Sequence, residues 1–148
     1  MSEDNSPIGS EFLVCGLGTL GQSCVSMLKS FGAIVYGIDC AEIRYWEVPD
    51  LPHKLDGYWQ GDCRQVQILE QANVHRCRAI LLVTRDERTN LAAAFAARTL
   101  NPTLRIIVRS RQDNLNQLLS RHLGNFAAFE PERLTAIALS AAATGDEV

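Results

Sequence analysis

Several things this chain has little of narrow its reading. No apolar run approaches the roughly 20 residues that a membrane-spanning helix needs. Positive charge is not in excess: 14 Lys and Arg stand against 17 Asp and Glu, a net charge of −3. A nucleic-acid binder usually shows a basic face, and an anionic membrane surface attracts one. Neither partner is expected. The acidic, polar N-terminus does not read as a signal peptide. Cysteines number five, an odd count, and no two stand in C-x-x-C spacing. That argues against a zinc site and against a disulfide framework. The expectation is buried, reduced thiols and no metal.

The chain has 148 residues, the length of one ordinary domain, and is 47% hydrophobic and 21% charged. That is enough to bury a core without covalent staples. The run Gly9–Ser10–Glu11–Phe12 resembles a cloning scar. Residues 1–10 are set aside as a tag or cloning remnant, and 11–148 are expected to form one domain. On that reading the native protein is longer, with room for a pore or a second domain.

Six apolar runs alternate with helical patterns. They are Phe12–Cys15, Ala33–Ile38, Tyr58–Trp59, Ala79–Val83, Leu104–Val108 and Phe126–Phe129. Continuous rather than alternating runs mark strands covered on both faces. Between them, Leu20, Cys24, Met27, Leu28 and Phe31 fall on one helical stripe. Ile68, Leu69 and Ala72 form a second; Leu115, Leu118, Leu119, His122 and Leu123 form a third. Leu134, Ile137, Ala138 and Ala141 form a fourth. Residues Glu87 to Leu100 are alanine-rich and helix-forming, and Asn101–Pro102 stops them. Glu42 to Leu55, with Pro49 and Pro52, reads as an irregular loop or a broken helix. Strand–helix alternation of this kind predicts an α/β, Rossmann-like doubly wound sheet. Six mainly parallel strands in the order 3-2-1-4-5-6, with helices on both faces, are expected.

Gly16–Leu17–Gly18–Thr19–Leu20–Gly21 follows the first strand and opens the first helix. Gly16 permits the tight turn, Gly18 lets phosphate approach the backbone, and Gly21 lets helix and strand pack closely. The helix start offers free N–H groups and a partial positive charge. Asp39 ends the second strand, where a carboxylate can accept both ribose hydroxyls. It would repel a 2′-phosphate, so NAD or ATP/ADP fits better than NADP. Asp62 either caps the following helix or flanks the adenine. Arg109 either pairs with a carboxylate or serves a ligand or an interface. His122 reads as a packed histidine.

Beyond the glycine loop, further segments resemble the RCK domain (regulator of potassium conductance), also called Trk-N. They are Gly61–Asp62–Cys63, Leu81 to Asn90, Ala97–Arg98–Thr99–Leu100–Asn101–Pro102, Ile106–Arg109 and Phe129–Glu132. The resemblance implies a cytoplasmic regulatory domain, not an enzyme, that controls potassium transport. It implies NAD(H) as the leading ligand, with ATP, ADP or AMP as alternatives. It implies a homodimer or a larger ring, working with a potassium channel or transporter pore. By position, Gly16, Leu17, Gly18, Thr19, Leu20 and Gly21 would hold phosphates, and Asp39 with Cys40 would meet the ribose side. Asp62 and Cys63 would flank the adenine; Thr84 and Arg109 would lie near the ligand or the dimer contact. Thr19 stands where some ATP-binding members carry an arginine. Two other readings stay open: the cofactor domain of an NAD-dependent oxidoreductase, and an assembly module whose nucleotide is purely structural.

Overall fold

The computed structural model describes residues 10–43, 45–47, 49–111, 113–130, 140 and 142–144. Six strands form one sheet: β1 (Glu11–Cys15), β2 (Ile34–Asp39), β3 (Gly57–Gln60), β4 (Ala79–Leu82), β5 (Arg105–Arg109) and β6 (Phe126–Phe129). Their order is β3-β2-β1-β4-β5-β6, and all five pairings are parallel. The Rossmann-like order expected from the sequence is therefore the observed one. The helices are α1 (Thr19–Ser30), α2 (Leu51–Lys54), α3 (Val66–Gln71), α4 (Glu87–Leu100) and α5 (Asp113–Leu123).

Alternate side chains of each strand leave for opposite faces, and two cores result. Leu13, Cys15, Tyr36, Ile38, Ile80, Leu82, Ile106 and Val108 meet Leu69 of α3, Ala93, Ala94 and Ala97 of α4, and Leu119 of α5. Phe12, Val14, Val35, Leu81 and Ile107 meet Cys24, Val25 and Leu28 of α1 and Leu51 of α2. β1 and β4 are buried at every position, as central strands covered on both faces must be. β3, at the sheet edge, alternates between half-buried and exposed instead. The alanines of α4 let that helix lie close on the sheet.

Several expectations are corrected. Phe31 follows α1 as its C-cap and is 58% exposed, because the chain turns at Gly32 (φ +82°) before the stripe completes another turn. His122 is exposed, not packed, and Leu118 is also exposed; among the described side chains of that stripe, Leu119 and Leu123 are buried. Cys40 is exposed, while Cys15, Cys24, Cys63 and Cys77 are buried. Glu11 and Phe12, on the domain side of the 1–10 boundary drawn from the sequence, belong to β1 and are buried. Glu11 accepts from the Tyr36 hydroxyl at 2.5 Å and pairs with Arg76 at 3.0 Å. Among the described residues of Glu42 to Leu55, read as an irregular loop or a broken helix, the one regular element is α2, whose first turn holds Pro52. The stripe of Leu134, Ile137, Ala138 and Ala141 lies outside the described residues.

Candidate functional site

All six strands point their C-terminal ends to one rim. The order reverses between β1 and β4, where neighbouring connections leave to opposite sides and a crevice opens. A cleft of about 670 Å³ lies there. Of the residues singled out from the sequence, all line it except Leu17. It is also lined by Ser23, Ile38, Gly61, Val83, Arg85, Asp86 and Thr89.

The glycine loop is held by contacts that leave no room for side chains. A methyl group on Gly21 would sit 1.7 Å from the Gly16 carbonyl oxygen. One on Gly16 would sit 2.8 Å from the Thr84 nitrogen, and Gly16 has φ +99°, where L residues are strained. Gly18 differs: a methyl group there meets nothing within 4 Å. Its open side is space above the start of α1. Gly18 is the N-cap of α1, and no side chain caps the helix. The first N–H groups of a helix lack partners within it. The start of α4, on the same rim, is treated oppositely. Asp86 caps it, accepting from the N–H groups of Arg88 and Thr89. Of these two helix starts, only that of α1 is left open for an anion.

Leu17 is turned away from this space. Its side chain is buried against Gly37, and its N–H donates to Asp39 Oδ2 at 2.7 Å. That N–H is not free for phosphate. Asp39 Oδ1 accepts from the Ala41 N–H at 2.9 Å. Each carboxylate oxygen has a second lone-pair site left for a hydroxyl.

Gln22, buried in α1, fastens the loop after β2. Its amide nitrogen donates to the Leu17 and Tyr45 carbonyls, and its oxygen accepts from the Glu47 N–H. Glu47 in turn accepts from the Thr19 hydroxyl at 2.9 Å. On the other side, fully buried Asn90 ties the ends of β4 and β5. Its nitrogen donates to the Thr84 and Arg109 carbonyls. Its oxygen accepts from the Thr84 hydroxyl at 2.5 Å and the Thr84 N–H at 3.2 Å. Neither Gln22 nor Asn90 stood out from the sequence as a site residue. Each looks like an ordinary polar residue on a helix, and only burial reveals its work.

Asp62 is not the cap of α3, whose N-cap is Gln65. It accepts instead from the Arg64 N–H and guanidinium, closest at 2.7 Å. Those bonds hold its carboxyl below the usual range. The amides at the start of α4, that of Thr89 first, do the same for Asp86. Burial pushes the Cys15 thiol up, and Cys63 beside it adds to the effect. Among the described residues, no group of three or more His, Cys, Asp or Glu could hold a metal. No helix among them is long and apolar enough to cross a membrane.

Solved structures with this fold include the TrkA-N domain of inner membrane protein ybaL from Escherichia coli. It is 20% identical, with a TM-score of 0.70 over 86% of this chain and 92% of that one. The Kef CTD of Shewanella denitrificans in its AMP-bound form is 15% identical, with a TM-score of 0.65 over 90% of this chain and 87% of that one. The GsuK channel bound to NAD is 17% identical, with a TM-score of 0.62 over 86% of this chain and 22% of that one. In sequence, the chain is 29% identical over 97 residues to the Trk system potassium uptake protein TrkA homolog of Pyrococcus horikoshii. It is 27% identical over 114 residues to a protein of Methanothermus fervidus. These matches take in 66% and 74% of this chain but 42% and 17% of the relatives, so the chain spans less than half of their length. Residues 12–130 match the TrkA-N domain family, and the chain belongs to that family.

Proposed function

We propose that this domain is a non-catalytic switch that binds an adenine nucleotide and controls potassium transport from the cytoplasmic side. The observation that carries the reading is the uncapped start of α1 beside Gly18, facing open space in the cleft. The diphosphate would lie on those amides. Asp39 would accept the ribose hydroxyls through its remaining lone pairs, and its charge would disfavour a 2′-phosphate. The adenine would lie toward Cys40, Asp62 and Cys63. Thr84 and Arg109 would meet the far half of the ligand.

The similarity to a TrkA homologue supports potassium transport as the controlled process. NAD on one structural neighbour and AMP on another support the ligand class. NAD(H) stays the leading ligand, with ATP, ADP or AMP as alternatives. The cleft carboxylates support a binding role over chemistry: Asp39, Asp62 and Asp86 already accept hydrogen bonds that build the rim. Nucleotide binding does regulatory work only if it favours one arrangement of subunits over another. A homodimer or ring, coupled to a channel or transporter pore, supplies such arrangements.

Mass spectrometry of nucleotide released from the purified protein tests this, followed by calorimetry with NAD, NADH, ATP, ADP and NADP. Binding of an adenine nucleotide at micromolar levels, weaker for NADP, is the expected result. Millimolar or absent binding of all of them would defeat the reading.

A further inference from the structure

Two of the five thiols meet at the cleft end of the sheet. Cys15 is the last residue of β1, paired with Ile38 of β2 and Leu82 of β4, and is fully buried. Cys63 comes from beyond β3, on the far side of β2. The Gly61 N–H donates to the Asp39 carbonyl, which draws the chain over the end of β2. The Gln65 N–H then closes a turn on the Asp62 carbonyl, and Cys63 inside that turn is 4% exposed. Its side chain joins the same core face as Leu13, Cys15 and Ile38. There the two thiols share a hydrogen bond. The other cysteines stand apart. Cys24 belongs to the core on the opposite face of the sheet, Cys77 precedes β4 at the other end of the strands, and Cys40 is exposed on the rim.

The members of the pair are not equivalent. Cys63 lines the cleft and Cys15 does not, so a small solute entering the cleft meets Cys63 first. The hydrogen bond from the Cys15 thiol holds the Cys63 thiol below its ordinary value, while burial pushes that of Cys15 up. Asp62 opposes this at Cys63, but its carboxylate is paired with Arg64 at 2.7 Å. The thiolate is the nucleophile, and a neighbouring thiol that keeps its proton is placed to resolve what forms on it. Cys15 is fixed between two strands. Cys63 sits in a turn whose next residues, Arg64 and Gln65, are exposed, so the turn is free to close the gap to the roughly 2 Å of an S–S bond.

We propose that Cys63 is a peroxide-reactive thiol of the cleft and that Cys15 is the partner that closes a disulfide with it. The chemistry does not depend on a bound nucleotide. The Cys63 thiolate attacks one oxygen of hydrogen peroxide. An S–O bond forms, the O–O bond breaks, and the departing hydroxide takes up the proton that Cys63 released. The Cys15 sulfur then attacks the sulfur of the resulting sulfenic acid. The S–S bond forms, the S–O bond breaks, and a second hydroxide leaves as water with the Cys15 proton. In all, the thiols lose two electrons and two protons, and the peroxide is reduced to two waters. The product ties the end of β1 to the turn beyond β3, across β2, and puts a covalent link in the cleft wall beside Asp62.

Peptide mapping of the reduced full chain after brief treatment with hydrogen peroxide tests the pairing. The expected product is one internal disulfide linking the segment that holds Cys15 to the segment that holds Cys63. The intact mass should fall by two hydrogen atoms and be restored by dithiothreitol. Cys15→Ser should lose this disulfide and leave Cys63 as a sulfenic acid that a dimedone probe captures. Cys63→Ser should leave Cys15 a free thiol under the same treatment. Thermal melting checks that each variant folds, and Cys15→Ala replaces the serine variant if the buried site rejects a hydroxyl. A link from Cys63 to Cys40 in the parent, a link between copies, or a Cys63 that stays a thiol would overturn the proposal.

Discussion

The Leu17 N–H donates to the Asp39 carboxylate at 2.7 Å, so the acid at the end of β2 clamps the glycine loop while facing the cleft. One side chain thus has a structural and a recognition duty. Two substitutions separate them. Asp39→Asn keeps an acceptor for the loop but loses the charge; Asp39→Ala loses both. Nucleotide affinity should fall at least about tenfold in Asp39→Ala, and stability should fall by about 1–2 kcal/mol as two amides lose their acceptor. Asp39→Asn should lose affinity with less loss of stability. Calorimetry and urea denaturation read the two effects.

Two glycines of the same loop should behave oppositely. A methyl group on Gly21 overlaps the Gly16 carbonyl oxygen, and backbone cannot move aside cheaply. Gly21→Ala should express poorly or melt many degrees lower. Gly18→Ala meets no protein atom and has an ordinary φ of −75°. It should melt close to the parent yet bind nucleotide more weakly, because the methyl occupies the ligand's space. A Gly18→Ala protein of unchanged affinity would remove phosphate from that position.

Asn90 holds two strand ends with four hydrogen bonds and is fully buried. Asn90→Leu leaves the Thr84 and Arg109 backbone groups without partners. A loss of about 2–4 kcal/mol is expected in urea denaturation, on the scale of about 1–3 kcal/mol for each buried group left unsatisfied. Nucleotide affinity should fall with it, since Thr84 and Arg109 line the cleft.

The thiols should divide by access. Burial pushes the Cys24 and Cys77 thiols up to about 12. At pH 8 their thiolate fraction is then about one in ten thousand. Cys40 is exposed and lines the cleft. A disulfide reagent should titrate Cys40 quickly in the native protein, and Cys24 and Cys77 only on unfolding. Added nucleotide should slow that one reaction.

Acid should loosen α4 first through its cap. The Asp86 carboxyl is held below its ordinary value by the Thr89 and Arg88 amides. A depressed native value means that its contribution is complete above the unfolded carboxylate range and is lost as pH falls through the native one. Asp86→Asn keeps a capping oxygen that does not titrate there. Its melting temperature should therefore decline less steeply with acid than that of the parent.

The sheet was readable because its signals are local. The Leu81–Leu82–Val83 run and the alanines of α4 carry their own periodicity, and strand order follows from the alternation. The glycine motif announced the loop because each glycine answers a steric demand. What failed were positions decided by neighbours far along the chain. His122 keeps helical spacing with Leu119 but falls outside the width of the buried stripe. Leu17 sits inside the motif, yet its N–H is claimed by an acid 22 residues away. Gln22 carries no sequence signal, because polar helix residues usually face water, and Asn90 stood out only as part of the Leu81 to Asn90 resemblance, with no role attached. Their roles exist only once Tyr45 and Arg109 have been brought beside them.

The opposite ends of β4 and β5 have a consequence of their own. Arg78, just before β4, donates to the Thr144 carbonyl, and Arg105, opening β5, donates to the Ala142 carbonyl at 2.6 Å. These two strands are rods of four and five residues, on the order of 15 Å long at 3.3 Å per residue. Each is held at one end by Asn90 and tied at the other, through Arg78 or Arg105, to carbonyls of the helical stretch 142–144. Arg109, at the cleft, and the tie to residues 142–144 thus stand at opposite tips of one strand.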